Sequence, residues 1–474
     1  MQSHKDYLEH LRRHITSGSE DEDFRRQLEG NREILLILEN MNLDAVIPLL
    51  TPFYSPTVRR SPRDPICMLR ALILMLLIGI AGITRWVTTV RSFSFFAILA
   101  GFEPDDTPGV GTYYDFMKRI INGPYVPCDD RVPLSRRNKG PHKRNLKKPA
   151  KKKAKADEKA EDEKHTSLAA RLAEELRENA KKPRSQVFPK VLEDILLLAG
   201  VVPSAQAGLI TELKKLAVSA DGSVAKSGAS PAGKATCECR SQGIYDCDHP
   251  RFYSSPTAEW CYDHHHGCYI FGDRYYQINV CQGGHDFPLI TIMPGGNESD
   301  FTLSLKALDS LRKAWEEHDL GIAIAIFIGD GHHDSYGNYK FFSDNGIIPV
   351  VPLRSGTKCP LHLPGNGPGI SFQADGTPLC PGGKPMRHHA YDSEKQTHIF
   401  SCPAKRGTHR DGKFVYVMHT DECPLHCDCK PESSIGPMVR VKSDADSRIF
   451  PPIPRGSERF KELMNQRSAS ERAN

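Results

Sequence analysis

Residues 322–328 are seven apolar side chains in a row, IAIAIFI, and the run stops at Gly329-Asp330-Gly331. A short unbroken apolar stretch closed by turn residues is the pattern of a strand buried on both faces. A carboxylate at its end is costly unless it has partners. Upstream, LKKLAVSADGS repeats the design, a strand ending at Asp221 with Gly222 behind it. CYIFGDRYYQINV and PLITIMPG predict the next two strands, FTLSLKALDSLRKAWEEH an amphipathic helix, YGNYKFFSDNG a short helix and IIPVVPLR a fifth strand. The order β-β-β-α-β-α-β predicts a mixed five-stranded sheet covered by helices. If the strands that end in Asp221 and Asp330 are neighbours, the two carboxylates meet at one edge.

The first 122 residues follow a different period. Residues 1–28 are polar and are expected as a flexible tail. Residues 29–122 predict an all-α domain, from EILLILENMNLDAVIPLL, the run after Pro65 and GVGTYYDFMKRII. Such a bundle suits DNA contact or dimerisation. Its most apolar run, ALILMLLIGIAGI (71–83), falls short of the roughly 20 residues a membrane span needs, and Arg70 and Arg85 flank it. It is expected as a buried helix, with no membrane span. MQSHKDYLEHLRRH lacks the apolar core of a secretory signal. A cytoplasmic, reducing location follows as the expectation, with the fourteen cysteines as thiols or metal ligands.

Charge alters the picture at one place. Residues 131–155 carry twelve Lys or Arg and no Asp or Glu. Without those twelve, the 63 basic residues fall to 51 against 58 acidic ones, a net of −7. Residues 123–185 are therefore expected as a linker, basic and then mixed in charge. A solvated tether is one reading. A run free of acid favours an arm on DNA phosphates instead, with Lys147, Lys148, Lys151, Lys152 and Lys153 among its contacts. Three further segments are expected: a core at 186–356 holding both Asp residues, a Cys-rich, β-rich insertion at 357–430, and a return to the core at 431–474.

Two carboxylates on one sheet edge suit Mg²⁺ or Mn²⁺, hard ions that accept oxygen ligands. Two such ions about 3.5–4 Å apart stabilise both oxygens of an in-line phosphoryl displacement. A third carboxylate is expected from SERFKELMNQRSASERAN, a helix that Ser457 can cap. Arg467 and Glu471 are four apart and share a face, so Arg467 can take a phosphate while Glu471 faces metal; alone, the spacing equally describes a solvent-face pair. Arg274 in FGDR suits a phosphate contact or a sheet-edge ion pair. The insertion has Cys-Pro pairs at Cys359, Cys380, Cys402 and Cys423, with Cys427 close behind. These fit a structural zinc or buried thiols. Cys237, Cys239 and Cys247 in CECRSQGIYDCDH fall in a loop after the first strand and leave the same two readings. The runs His264-His265-His266 and His332-His333 lack the carboxylate spacing of a zinc hydrolase, although His332 and His333 adjoin Asp330. No Walker loop or dinucleotide fingerprint occurs, so no nucleotide cofactor is expected.

The chain resembles the DDE transposases of bacterial insertion sequences. The resemblance rests on RRSPRDPICMLRALILMLLIGIAGITRWVTTVRS with GFEPDDTPGVGTYYDFMKRI, on LAVSADGS, on EWCYDHHHGCYIFGDRYYQI, on IGDGHHDSYGNYKFF and on RIFPPIPRGSERFKELMNQRSASERAN. It implies a ribonuclease-H-like α/β core interrupted by the insertion. It implies Asp221, Asp330 and Glu471 as metal-binding catalytic residues that cut and transfer strands at terminal inverted repeats, with DNA as partner and at least a dimer during reaction. The related helix reads Tyr-x2-Arg-x3-Glu-x6-Lys. Arg467 and Glu471 match it, Met464 stands at the Tyr position, and the Lys position would fall at 478, past Asn474. A truncated or decayed copy, or one part of a longer reading frame, is the expectation that follows.

Overall fold

The computed structural model describes residues 1–54, 62–122, 167–184, 190–263, 266–293, 298–357, 370–419, 423–425, 429, 433, 435–468 and 471. Cys359, Cys427, His264, His265 and the lysines from Lys147 to Lys153 lie outside them. The chain forms two compact units. One comprises Met1–Arg137, Arg184–Leu209 and Gly233–Ser254, the other Asn138–Pro183, Ile210–Ala232 and Ser255–Asn474.

The first unit is helical: α1 (His4–Gly18), α2 (Glu22–Gly30), α3 (Arg32–Asn40), α4 (Ile47–Leu50), α5 (Pro65–Leu77), α6 (Ile83–Ser92), α7 (Ser94–Ala100) and α8 (Val110–Asn122). The expected N-terminal tail is instead α1 and α2. Ser3 and Asp6 form a reciprocal capping box at the start of α1. Tyr7 and Leu11, four apart, are buried within a mostly polar helix. The Tyr7 hydroxyl donates to the Leu99 carbonyl at 2.8 Å, and the Arg70 guanidinium lies 3.5 Å from the Tyr7 ring centroid. A narrow stripe thus anchors a segment whose average polarity suggested fraying. Pro65 opens α5, where Asp64 caps the backbone N–H groups of Ile66 and Cys67. Most of α5 is buried in the unit's core. Among the described residues, no single helix is long and apolar enough to cross a membrane.

After α9 (Leu168–Glu178), part of the second unit, the chain returns to the first as α10 (Lys190–Leu196) and α11 (Val202–Gln206). Beyond β1 (Leu216–Lys226), again of the second unit, it forms the small hairpin β2 (Lys234–Ala235) and β3 (Arg251–Phe252) in the first.

The second unit is built on a mixed sheet flanked by helices. Its strands are β1, β4 (Glu259–Asp263), β5 (Cys268–Gln282), β6 (His285–Ile292), β7 (Ile324–Ile328) and β8 (Ile348–Val350), in the order β4-β5-β1-β7-β8 with β6 also on β5. β1 is antiparallel to β5 and parallel to β7, and β7 is parallel to β8. Six strands form, one more than expected. The addition is β4, because the 15-residue β5 has length for β4 at its start and β6 at its end. β1 also runs five residues past Asp221, since β5 continues to pair with it as far as Lys226↔Gly272.

Register decides what the sheet can present. Ser219 pairs with Ile328. The ladder ends there: Asp221 lies two residues further along β1, and Asp330 two residues past the last residue of β7. Ala217, Ile326 and Ile328 share one face of these strands. That face is covered by α14 (Glu458–Gln466), whose Phe460 and Leu463 pack with Ile328, Val350, Ala217 and Ile326. α12 (Asp300–Glu317) and α13 (Tyr336–Asp344) complete the helical layers. α9 packs against both. Gly337 is required at that crossing, since a Cβ there would lie 2.4 Å from the Ala169 backbone.

The insertion is β-rich, as expected. β9 (Arg387–Asp392), β10 (Thr397–Ser401) and β13 (Met438–Lys442) make a sheet in the order β13-β10-β9, and β11 (Lys405–Arg410) with β12 (Lys413–Met418) a hairpin. Because β13 closes that sheet, the insertion extends past residue 430. Two arginines then fasten the return. Arg448 grips buried Asp334 at 2.7 and 2.5 Å. Arg455 donates to the carbonyls of Val351, Ile449 and Arg448 and to the Tyr339 hydroxyl.

Candidate active site

Asp330 ends an extended segment and caps the turn Gly331–His333. Its Oδ1 accepts the His332 backbone N–H at 2.9 Å and His333 Nδ1 at 2.8 Å, and its Oδ2 accepts His332 Nδ1 at 2.8 Å. A carboxylate only accepts, so both imidazoles carry their proton on Nδ1. Burial opposes the charge on Asp330, yet the bonds from His332 and His333 hold its carboxyl well below the usual range. The bond to Asp330 raises His332 in turn, against its partial burial. Gly329 makes room for this turn, because a Cβ there would sit 2.8 Å from His333 Nδ1.

His333 is fully buried and extends the chain inward. Its Nε2 lies 2.7 Å from the Tyr276 hydroxyl. With Nδ1 donating to Asp330, Nε2 shares one hydrogen bond with the phenol. Burial first, then the charges of Asp300, Asp221 and Asp330, push the Tyr276 hydroxyl well above its ordinary pKa. Carboxylate, imidazole and phenol thus form one hydrogen-bonded line from the end of β7 to the middle of β5.

Asp221 lies in mid-strand. Its Oδ1 accepts the Gly222 N–H at 2.9 Å. Burial raises its carboxyl; Asp300 and Asp330 raise it further, while the Gly222 bond and Arg467 lower it. Asp300, the first residue of α12, sits over Gly222, where a Cβ would fall 2.6 Å from its Oδ1. By strand alternation Gly222 faces away from Asp221, so Asp300 supports β1 from the opposite face. Burial raises its carboxyl as well, with Arg274 opposing. Arg274 Nε lies 3.4 Å from Asp300 Oδ1, and its Nη1 donates to the Glu298 carbonyl at 3.1 Å. The structure shows the ion pair of Arg274, with Asp300 as its anion.

Ser457 caps α14 through the Phe460 N–H. Arg467 forms an ion pair with Glu471, so the two share a face. Glu471 is half-exposed, and the charge of Arg467 acts on Asp221. Met464 packs against the apolar cluster beneath α14. Asp221 and Asp330 are near enough for their charges to act on one another, while Glu471 is tied to Arg467, whose charge reaches Asp221. Among the described residues, Asp221, Asp330 and Glu471 are not a set with ligand atoms within 4.8 Å of one another.

The cysteines considered as metal ligands lie in two places. The ligand atoms of Cys237, Cys239, Cys247 and His249 all lie within 4.8 Å of one another, so this group can hold a metal ion such as zinc. In the insertion, Cys380, Cys402 and Cys423 are buried. Burial and then the thiols of Cys402, Cys423 and Cys380 raise Cys429, so four cysteines converge there at longer range.

Comparison with family models, with curated proteins and with solved structures finds no match. Asp300, Tyr276 and His249 emerge only from the structure. Asp300 directly after Ser299 signalled a helix N-terminus, and Cys-x-His at 247–249 was the available signal for His249.

Proposed function

We propose that the chain is a DDE transposase, a metal-dependent polynucleotidyl transferase that cuts DNA at the ends of a mobile element and joins those ends to target DNA. One observation carries the reading. Asp221 on β1 lies near enough to Asp330, just past the end of the adjacent parallel strand β7, for their charges to act on one another, in a sheet whose order β6-β5-β1-β7-β8 is the one expected of a ribonuclease-H-like core.

The donor set fits a divalent cation. Asp330 has four lone-pair sites and spends three on the two histidines, which leaves one on Oδ2 for a metal. Asp221 and Asp300 both have raised carboxyls beside Asp330, a repulsion that a cation relieves. Asp221, Asp330 and Glu471 would hold two Mg²⁺ or Mn²⁺ ions. Such ions activate water and neutralise charge at a phosphodiester.

The chain's own groups do the rest. His333 and Tyr276 fix the orientation of Asp330. Arg467 is the cation placed to take a phosphate oxygen as Glu471 turns to the metal. His332, half-exposed and with its pKa raised by the bond to Asp330, would offer a second positive contact when protonated. The freed DNA 3′-hydroxyl would then attack a target phosphodiester held at the same carboxylates, the new P–O bond forming as the target's own 3′-oxygen leaves, and two chains would pair the two ends. The basic arm, with Lys147, Lys148, Lys151, Lys152 and Lys153, adds affinity without reading sequence. For the insertion, the reading is a structural zinc on Cys380, Cys402 and Cys423, completed by Cys359, Cys427 or Cys429.

The test is cleavage of labelled DNA bearing the gene's own flanking ends, in Mn²⁺, by wild type and Asp330→Asn. Nicks at the element boundary that vanish in the variant support the reading. Binding without nicks points to a DNA-binding protein, and cleavage of unrelated branched DNA to a structure-selective nuclease of the same fold.

A further inference from the structure

The loop between β2 and β3 lacks the usual means of holding a fold. Every residue from 234 to 250 is exposed except Cys237, Cys239 and Cys247, which are half-buried. Its larger apolar side chains, Ile244 and Tyr245, face solvent. The flanking strands are two residues each. A hairpin of that size has marginal stability in water.

Yet its turns are specific, and they converge on sulfur. The Cys239 carbonyl accepts the N–H groups of Gln242 and Ile244 at 3.1 and 2.9 Å, and Gly243 takes a positive φ of 78° to allow it. The Thr236 hydroxyl donates to the Pro250 carbonyl at 2.6 Å and closes the neck. Cys237 Sγ lies 3.5 Å from Cys247 Sγ, and Cys239 Sγ lies 3.4 Å from His249 Nδ1. Sulfur separations of this order are those of ligands around one tetrahedral centre with metal–sulfur bonds of about 2.3 Å.

We infer that Cys237, Cys239, Cys247 and His249 form a structural zinc site, closed by four protein ligands, which supplies the folding energy of this loop. Three thiolates and one imidazole suit zinc rather than the oxygen-seeking ions proposed for the carboxylates. Four protein ligands leave no open position, so the site stabilises and does not catalyse. The inference stands on these residues alone and is independent of any transposase activity.

The test uses the full chain, purified without chelators, with zinc counted per chain by elemental analysis. The Cys237→Ser/Cys247→Ser double variant should contain one zinc fewer than wild type, whatever the insertion holds. The His249→Cys variant should keep it. Replacement by Co²⁺ should give wild type more thiolate-to-cobalt absorption than the double variant. Chelation should speed tryptic cleavage at Arg240 in wild type at least tenfold and leave the double variant unchanged. Equal zinc content and equal cobalt spectra in the two proteins would overturn the inference. So would recovery of Cys237 and Cys247 as a disulfide in freshly isolated protein.

Discussion

Replacing Asp221 by Asn is expected to stabilise the metal-free protein while abolishing its proposed chemistry. Asp300 and Asp330 both act on Asp221 as like charges, and Asp330 follows the strand next to β1, about 4.8 Å away. Like charges near 5 Å, in an effective dielectric of about 20, repel by roughly 3 kcal/mol. Arg467 offsets part of that, and Asn keeps an acceptor for the Gly222 N–H. The net gain expected from Asp221→Asn is about 1 kcal/mol at neutral pH, or a midpoint rise of about 2–4 °C for a domain of this size. The sign follows from linkage. Burial, Asp300 and Asp330 raise the Asp221 pKa on folding. The folded state therefore binds this proton more tightly than the unfolded chain. Its carboxyl costs nothing below the ordinary Asp value and progressively more as pH rises through the folded pKa. The variant's advantage should be largest at neutral pH and close near about pH 4. Urea titrations in EDTA at the two pH values measure it. Added Mn²⁺ should then stabilise wild type more than the variant. A variant less stable than wild type at neutral pH, or an advantage independent of pH, would refute the mutual repulsion.

Three further outcomes are expected. Gly222→Ala should cost about 1–3 kcal/mol, because its Cβ would fall 2.6 Å from Asp300 Oδ1 and 3.1 Å from the Tyr276 ring; adding Asp300→Ser should recover part of the loss in a double-mutant cycle. Arg448→Ala leaves Asp334 buried without its bidentate partner and should cost about 3–5 kcal/mol in denaturant titration. His332→Ala should destabilise most in mildly acidic solution. The raised His332 stabilises below its ordinary value and loses that effect as pH rises through its folded pKa, whereas Asp330, depressed by the histidines, loses its contribution as pH falls. A stability difference that persisted unchanged into alkaline solution would contradict the pairing.

Much of the second unit could be read from periodicity. The apolar runs before Asp221 and Asp330 are strands, FTLSLKALDSLRKAWEEH and YGNYKFFSDNG are helices, and the two strands are neighbours in register. Ser457 caps its helix, and Arg467 pairs with Glu471 as the spacing of four allowed. What escaped depends on three-dimensional partners. β1 outruns Asp221 because β5 pairs with it, and β5 reveals its length only through β4 and β6. α1 is anchored by the contacts of Tyr7 with Leu99 and Arg70, which lie far along the chain. Asp300 joins the carboxylates because Gly222 has no side chain to exclude it. His249 becomes a metal-ligand candidate only when the neck of its loop closes.

The most direct measurement exchanges each sheet carboxylate for a thiol. Asp221→Cys and Asp330→Cys would be assayed for cleavage of the element ends in Mg²⁺ and in Mn²⁺, with circular dichroism confirming the fold. Mg²⁺ favours oxygen ligands strongly, and Mn²⁺ tolerates sulfur better. If these residues hold the catalytic ions, both variants lose cleavage in Mg²⁺ and regain a measurable part in Mn²⁺. Full activity in Mg²⁺, or folded variants equally dead in both metals beside an active wild type, would contradict the claim that Asp221 and Asp330 ligate the metal.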